Sequence, residues 1–199
     1  HELNIRGLTI FANVPPAKVQ KRRGRAKHTS RKQKEAEQVL MQSGAGLGVA
    51  IIMESRFAAM VHATKGVHKE TTHHRAIAVD IYGEDFSKPQ LTVMSGYATA
   101  QHGNAPATVA VRKTTSEFLI EHHTRASDGG WGSSSGSDCN SIIRPEIDSL
   151  YPTGQTPQFA LATELADAGG IKDAFRAMPG LENMLAWTHE GPRSAKRLD

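Results

Sequence analysis

The chain has 199 residues, enough for one domain with a core and too few for most multidomain enzymes. It contains 25 Ala, whereas Leu, Ile, Val and Phe together supply just under a fifth of the residues, so we expect a thin core that depends on other protein subunits. No apolar run approaches the roughly 18 residues that span a bilayer, and a single cysteine excludes an internal disulfide. We therefore expect no membrane contact, and a location in an intracellular reducing compartment, an organelle matrix or a virion.

The N-terminal region predicts a short strand followed by a helix. Residues 5 to 12 are rich in apolar side chains and are followed by Pro15 and Pro16, which end the strand. No proline interrupts the stretch from Ala17 to Gln42, which predicts a helix that begins just after Pro16.

Positive charge is concentrated within that helix. Nine cations and no acid occur between residues 18 and 34, which we call the basic arm, and the other 182 residues carry a formal charge of −5. A polyanion is the natural partner of such a segment, because binding releases the counterions condensed on it. The basic arm therefore predicts nucleic-acid binding, with RNA favoured. Its candidate binding residues are Lys18, Lys21, Arg22, Arg23, Arg25, Lys27, Arg31, Lys32 and Lys34.

Five segments in the middle of the chain predict strands. Residues 47–53 form a continuous apolar run, and residues 75–82 alternate between apolar and other side chains. Residues 91–101, 108–113 and 116–123 are rich in β-branched or aromatic residues and are separated by turn-forming sequences. We therefore expect a central, mainly antiparallel sheet of about five strands.

The last third of the chain predicts a loop and then helices. Gly and Ser dominate residues 126–141, which is typical of a loop. Helical patterns follow over residues 158–168, 171–178 and 181–189, each ended by Gly or Pro.

The predicted fold class is accordingly α+β. It comprises an N-terminal strand and basic helical arm (residues 1–43), a β-rich core with the Gly/Ser loop (residues 44–150) and a small C-terminal helical layer (residues 151–199).

Two His-x-Thr triplets are candidate catalytic residues: His62 with Thr64, and His122 with Thr124. Residues two apart in a strand share a face, so two such strands side by side would hold two imidazoles around one phosphate, one as base and one as acid. The pattern resembles the two-histidine phosphoesterases, small α+β enzymes that act on RNA ends and cyclic phosphates. The resemblance implies an RNA-directed phosphoesterase with these four residues at its site.

A second resemblance involves the glycine-rich segment and apolar strand that precede His62. They resemble the first barrel of chymotrypsin-like viral proteases, which implies Ser135 or Cys139 as the nucleophile and Asp80 or Asp85 as the group that orients His62. The interval from His62 to Ser135 is short for two barrels.

Six histidines and one cysteine raise the question of a metal. None of the familiar metal-ligand spacings, such as His-Glu-x-x-His or Cys-x-x-Cys, connects them, so we predict no metal and no cofactor. The residues concerned are His68, His73, His74, His102, His122, His123 and Cys139.

These observations favour a structural protein that binds nucleic acid within a larger assembly, such as a ribosome-like particle or a nucleocapsid. The enzyme alternative is the phosphoesterase that uses His62 and His122. A second alternative is an assembly subunit that contacts only protein, with the basic arm as a localisation or docking peptide. Large aromatic residues in or beside Gly/Pro-rich segments, namely Trp131, Tyr151 and Trp187, are expected to be exposed in the isolated chain and covered in the assembly.

Overall fold

The computed structural model of the protein describes residues 2–14, 48–69, 74–98, 106–138, 174, 177–180, 189–191 and 194–196. Within these ranges the chain forms nine strands and two helices. The strands belong to a three-stranded sheet, a four-stranded sheet and a two-stranded hairpin. Mixed helix and sheet content agrees with the predicted α+β class.

The three-stranded sheet is antiparallel and contains β1 (Glu2–Ile5), β2 (Leu8–Asn13) and β3 (Val49–Glu54). The strand predicted over residues 47–53 is therefore confirmed as β3. The single strand predicted over residues 5–12 is instead the end of β1, a turn and most of β2, which together belong to a hairpin. Its two-residue turn has positive φ at both Arg6 and Gly7, as a type I′ turn requires. Helix α1 (Ser55–His62) begins directly after β3.

The four-stranded sheet has the order β4-β5-β6-β7. Its members are β4 (Val67–Lys69), β5 (Ala76–Tyr82), β6 (Pro89–Tyr97) and β7 (Gly132–Asp138). Strand β5 pairs antiparallel with both β4 and β6, and β7 pairs with β6 in parallel. Such a pair needs a long crossover connection, and helix α2 (Pro106–Gly129) lies between the two strands in the chain.

Strand β5 lies at the centre of the fold and is buried on both faces. Ala76 and Ala78 point towards α2, where they form one apolar cluster with Leu119. Ile77 and Val79 point the other way, into a second cluster that contains Phe11 of β2. Because side chains alternate along a strand, the next residue on the α2 face is Asp80. The alternation therefore places a carboxylate inside the fold.

The strands predicted over residues 108–113 and 116–123 are wrong, since both segments lie within helix α2. The buried residues Val111, Thr115, Leu119, His122 and Ala126 recur at intervals of three and four, which is the helical period. The local β-branched residues favoured strands, but burial of this face against the sheet determines the structure.

The Gly/Ser loop predicted over residues 126–141 is also wrong in part. The first residues of this range end α2, where Gly130 adopts a positive φ of 73° and the amide of Trp131 donates to the Ala126 carbonyl. Residues 132–138 then form β7. Ser and Gly have low strand propensity, so main-chain pairing with β6 accounts for this strand.

The described strands do not form one sheet of about five strands. Two of the predicted strands, over residues 75–82 and 91–101, correspond to β5 and β6 and are joined by β4 and β7, which the sequence did not suggest. The basic arm and most of the C-terminal helical layer lie outside the described residues. In the C-terminal part, His189–Gly191 (β8) and Ser194–Lys196 (β9) form a hairpin.

We predict that Leu119→Ala lowers the free energy of unfolding by about 2 to 5 kcal/mol, because Leu119 is fully buried between α2 and the sheet and its loss leaves a cavity. Glu121→Ala, an exposed substitution on the same helix, is the matched control and changes the value by less than about 0.5 kcal/mol. Urea denaturation measures both. Equal effects would contradict the packing of α2 on the sheet.

Candidate functional site

The basic arm, from Lys18 to Lys34, lies outside the described residues, so its nucleic-acid contacts stay a prediction. The other candidate catalytic and metal-ligating residues fall within the described part of the chain, apart from His73, His102 and Cys139.

The His-x-Thr triplets do not lie in strands. His62 ends α1 and Thr64 follows in a turn, while His122 and Thr124 both lie within α2. Residues two apart on a helix do not face each other, so the strand argument for these pairs is wrong.

The two histidines also lie on opposite faces of the four-stranded sheet. His62 is exposed and its ring contacts Phe11, on the side of Ile77 and Val79. His122 is buried on the α2 side. The structure therefore does not bring His62 and His122 around one phosphate.

The protease arrangement is not formed either. Asp80 bonds to His68 rather than to His62, and Asp85 bonds to its neighbour Ser87 in an exposed turn. Ser135 bonds to another serine of β7, Ser137.

The structure instead brings together a set of polar side chains around Asp80, which we call the Asp80 centre. The Asp80 side chain is completely buried. Its Oδ2 lies 2.9 Å from Nε2 of His68 on β4, and its Oδ1 accepts from Oγ1 of Thr92 on β6 at 2.8 Å. The same Oδ1 accepts from a terminal nitrogen of Arg125 on α2 at 2.7 Å. One carboxylate thus connects three strands with a helix.

Asp80 is ionised in this setting. Burial alone raises the pKa of a carboxyl group, but the hydrogen bonds from His68, Thr92 and Arg125, together with the guanidinium charge, outweigh burial and lower the pKa of Asp80 to about 2. An ionised carboxylate only accepts hydrogen bonds. Nε2 of His68 therefore carries the hydrogen of the His68–Asp80 bond, and in the neutral ring Nδ1 holds the lone pair.

His68 and Arg125 both bond to the buried carboxylate, and both side chains are partly exposed at the protein surface. Each side chain is 35% exposed, in contrast to Asp80. Within the described residues no hydrogen bond reaches Nδ1 of His68. The centre therefore presents an imidazole lone pair beside a guanidinium group.

His122 packs against the inner side of this centre. Its ring lies 4.9 Å from the His68 ring and 4.4 Å from the Phe118 ring, centroid to centroid. Burial, followed by repulsion from the protonated form of His68 and from the Arg125 guanidinium, lowers the pKa of His122 to about 4, so the ring is neutral at pH 7. Its Nδ1 is buried without a hydrogen-bond partner in the part of the chain that the structure describes.

Trp131 closes the centre from the far end of α2. Its indole Nε1 donates to Oγ1 of Thr92 at 2.9 Å, and the Arg125 guanidinium lies 5.8 Å from the indole ring centroid. Trp131 is half-buried, so the expectation that it would be exposed in the isolated chain is wrong. Its contacts are internal, because the indole N–H finds its partner in β6.

Sequence reasoning missed His68, Thr92 and Arg125 as partners of one site. The sequence feature that indicates such a site is Asp80 itself, because it is the only acidic residue in an otherwise apolar strand. A charge in such a strand needs buried partners. The pattern does not say which residues supply them.

Comparisons with protein-family models, with curated proteins and with solved structures gave no match. Among the described residues, no group of three His, Cys, Asp or Glu side chains is arranged to hold a metal ion. No helix in the described ranges is long and apolar enough to cross a membrane.

We predict that acid destabilises the protein through His122. Between about pH 6.5 and about pH 4 the unfolded chain protonates this ring while the folded chain keeps it neutral, so stability falls as pH falls. The loss from this group is about 2 kcal/mol between pH 7 and pH 5. Urea denaturation at the two pH values should show a smaller loss for His122→Leu than for the natural chain. Equal losses would contradict a buried, neutral His122.

Proposed function

We propose that the protein binds nucleic acid, with RNA favoured, as a structural component of a larger assembly such as a ribosome-like particle or a nucleocapsid. One observation carries the proposal: nine cations and no acid within the 17 residues of the basic arm. Neutralising several phosphates at once gives affinity without requiring a folded pocket.

The charge of the rest of the chain supports the same division of roles. Outside the basic arm the formal charge is −5, which repels a polyanion at long range. Long-range attraction is thus supplied by the arm, and the surface of the body can contact other protein subunits.

Exposed apolar side chains support such subunit contacts. Ile5, Leu8 and Ile52 lie on the three-stranded sheet and are 52%, 43% and 61% exposed. Exposed apolar side chains grouped on one element are typical of surfaces that contact other proteins.

The two alternative functions have different support in the structure. The phosphoesterase built on His62 and His122 lacks support, because these histidines occupy opposite faces of the four-stranded sheet. In the second alternative the protein is a subunit that contacts only other proteins and uses the basic arm as a docking peptide. A test of RNA binding distinguishes this alternative from the main proposal.

We predict that replacing the nine cations of the basic arm by Gln weakens RNA binding by at least 100-fold at moderate salt while leaving the unfolding transition in place. In the natural chain the logarithm of affinity should fall with the logarithm of salt concentration, by about 0.7 to 0.9 for each phosphate contacted. Fluorescence anisotropy with a labelled single-stranded RNA measures both effects.

The matched control neutralises exposed cations of the body instead: Arg6, Arg56, Lys65, Lys69 and Lys88. This variant should keep most of the affinity, because its cations are dispersed. Affinity that does not change with salt, or that survives neutralisation of the arm, would contradict the proposal. Binding of protein subunits without RNA would favour the docking alternative.

A further inference from the structure

His68 has the features of a positioned general base. Its Nε2 is held by a completely buried carboxylate, which orients the ring and determines the neutral tautomer. Its Nδ1 receives no hydrogen bond from the described residues, and the side chain is 35% exposed. A base needs this combination of a fixed ring and a free lone pair within reach of a substrate.

Arg125 adds a fixed positive charge at the same place. Its guanidinium and the His68 imidazole each lie within 3 Å of an oxygen of the same carboxylate, so the two groups are neighbours. Arg125 is also 35% exposed and uses one terminal nitrogen for Asp80. A guanidinium has further N–H donors, which suit phosphate oxygens.

A purely structural ion pair would not need the imidazole to reach the surface. Arg125 and Thr92 already bond to Oδ1 of Asp80, and a buried donor would serve Oδ2 equally well. The third partner is instead a half-exposed ring with a second nitrogen capable of accepting a proton. The acid of this pair is thus inside the fold, and the base is at the surface.

We propose that the Asp80 centre is a catalytic site that cleaves phosphodiesters of RNA, with His68 as general base and Arg125 as the group that stabilises charge on the phosphate. The substrate class rests on the proposed binding of RNA by the basic arm. The nucleophile is the substrate's own 2′-hydroxyl.

The proposed reaction requires no reactant other than the RNA and water. The 2′-oxygen bonds to phosphorus as its proton passes to Nδ1 of His68, and the bond between phosphorus and the 5′-oxygen breaks. The departing 5′-oxygen takes a proton from water, and His68 returns its proton to the solvent. The products are a 2′,3′-cyclic phosphate and a 5′-hydroxyl. Arg125 stabilises the negative charge that grows on the phosphate oxygens in the transition state.

Asp80 is a positioning residue in this scheme, because it acts only through His68 and Arg125. Asp80→Asn replaces an acceptor by an amide, which weakens the preference for the Nε2–H tautomer. Its kcat should fall while its KM stays close to the natural value, and a loss confined to KM would contradict this role.

The decisive variant is His68→Gln. The Gln amide can donate to Asp80 as Nε2–H does, but it has no basic lone pair, so the fold is kept and the base is lost. The assay uses the full chain and a mixture of ribodinucleoside phosphates, which are too short to need the basic arm. We expect the natural chain to release cyclic phosphate products and His68→Gln to be at least 100-fold slower, with an unchanged melting transition.

His62→Gln is the matched control, since His62 is exposed on the opposite face of the sheet, and it should keep full activity. Substrates with a 2′-deoxyribose at the cleaved position should not react. No cleavage by the natural chain, equal rates for His68→Gln, or cleavage of the deoxy substrate would each overturn the inference. A natural chain that cleaves the dinucleotides but does not bind longer RNA would overturn only the proposed function of the basic arm.

Discussion

The structure depends on one buried carboxylate. Asp80 is completely inaccessible to solvent, yet its partners keep it charged, and those partners come from β4, β6 and α2. Removing a charge from water is costly, and the cost is recovered only when the charge is fully paired. The positions of the three elements are therefore coupled. Thr92 extends the coupling by accepting from Trp131 beyond the end of α2.

Tertiary contacts account for a helix and a strand that local sequence does not favour. Helix α2 is rich in β-branched and aromatic residues over part of its length, but it carries Leu119 and Arg125 to the sheet on one face. Strand β7 consists of Ser, Gly and Asp, and it is held by its pairing with β6. In both cases tertiary contacts override local propensity.

Sequence reasoning succeeded where a strand is buried and continuous. The segments that became β3, β5 and β6 show apolar runs or alternation, and both patterns survive in the structure. It failed where the evidence was local preference alone, as for residues 108–123, because β-branched residues also occupy buried helix positions. The buried positions from Val111 to Ala126 follow the helical period, but Thr115 and His122 among them are polar, so the apolar residues alone do not mark this helix.

The candidate site was predicted less well than the fold. Asp80 and His122 were both noticed, but each was assigned to His62, which is the only one of the three on the other side of the sheet. Spacing along a chain says little about which side chains meet across a sheet, since a partner such as Arg125 lies 45 residues from Asp80. His68 comes from a three-residue strand, too short to leave a clear periodic pattern.

The basic arm and the Asp80 centre differ in how their charges are used. In the proposed function the basic arm supplies positive charge for phosphates, whereas the Asp80 centre supplies fixed geometry with its charges paired internally. The same contacts that fasten α2 to the sheet also orient the His68 ring. The hydrogen bonds of Asp80 therefore stabilise the fold and also orient the proposed base. The partly exposed His68 imidazole is the feature that a purely structural ion pair would not need.

The most direct measurement is the tautomer of His68, read from long-range nitrogen-proton correlations in an NMR spectrum of the ¹⁵N-labelled full chain. An ionised Asp80 that accepts from Nε2 requires the neutral His68 ring to carry its proton on Nε2 and its lone pair on Nδ1. That tautomer is the predicted result. A neutral ring protonated on Nδ1 would contradict both the geometry of the Asp80 centre and the role of His68 as a base.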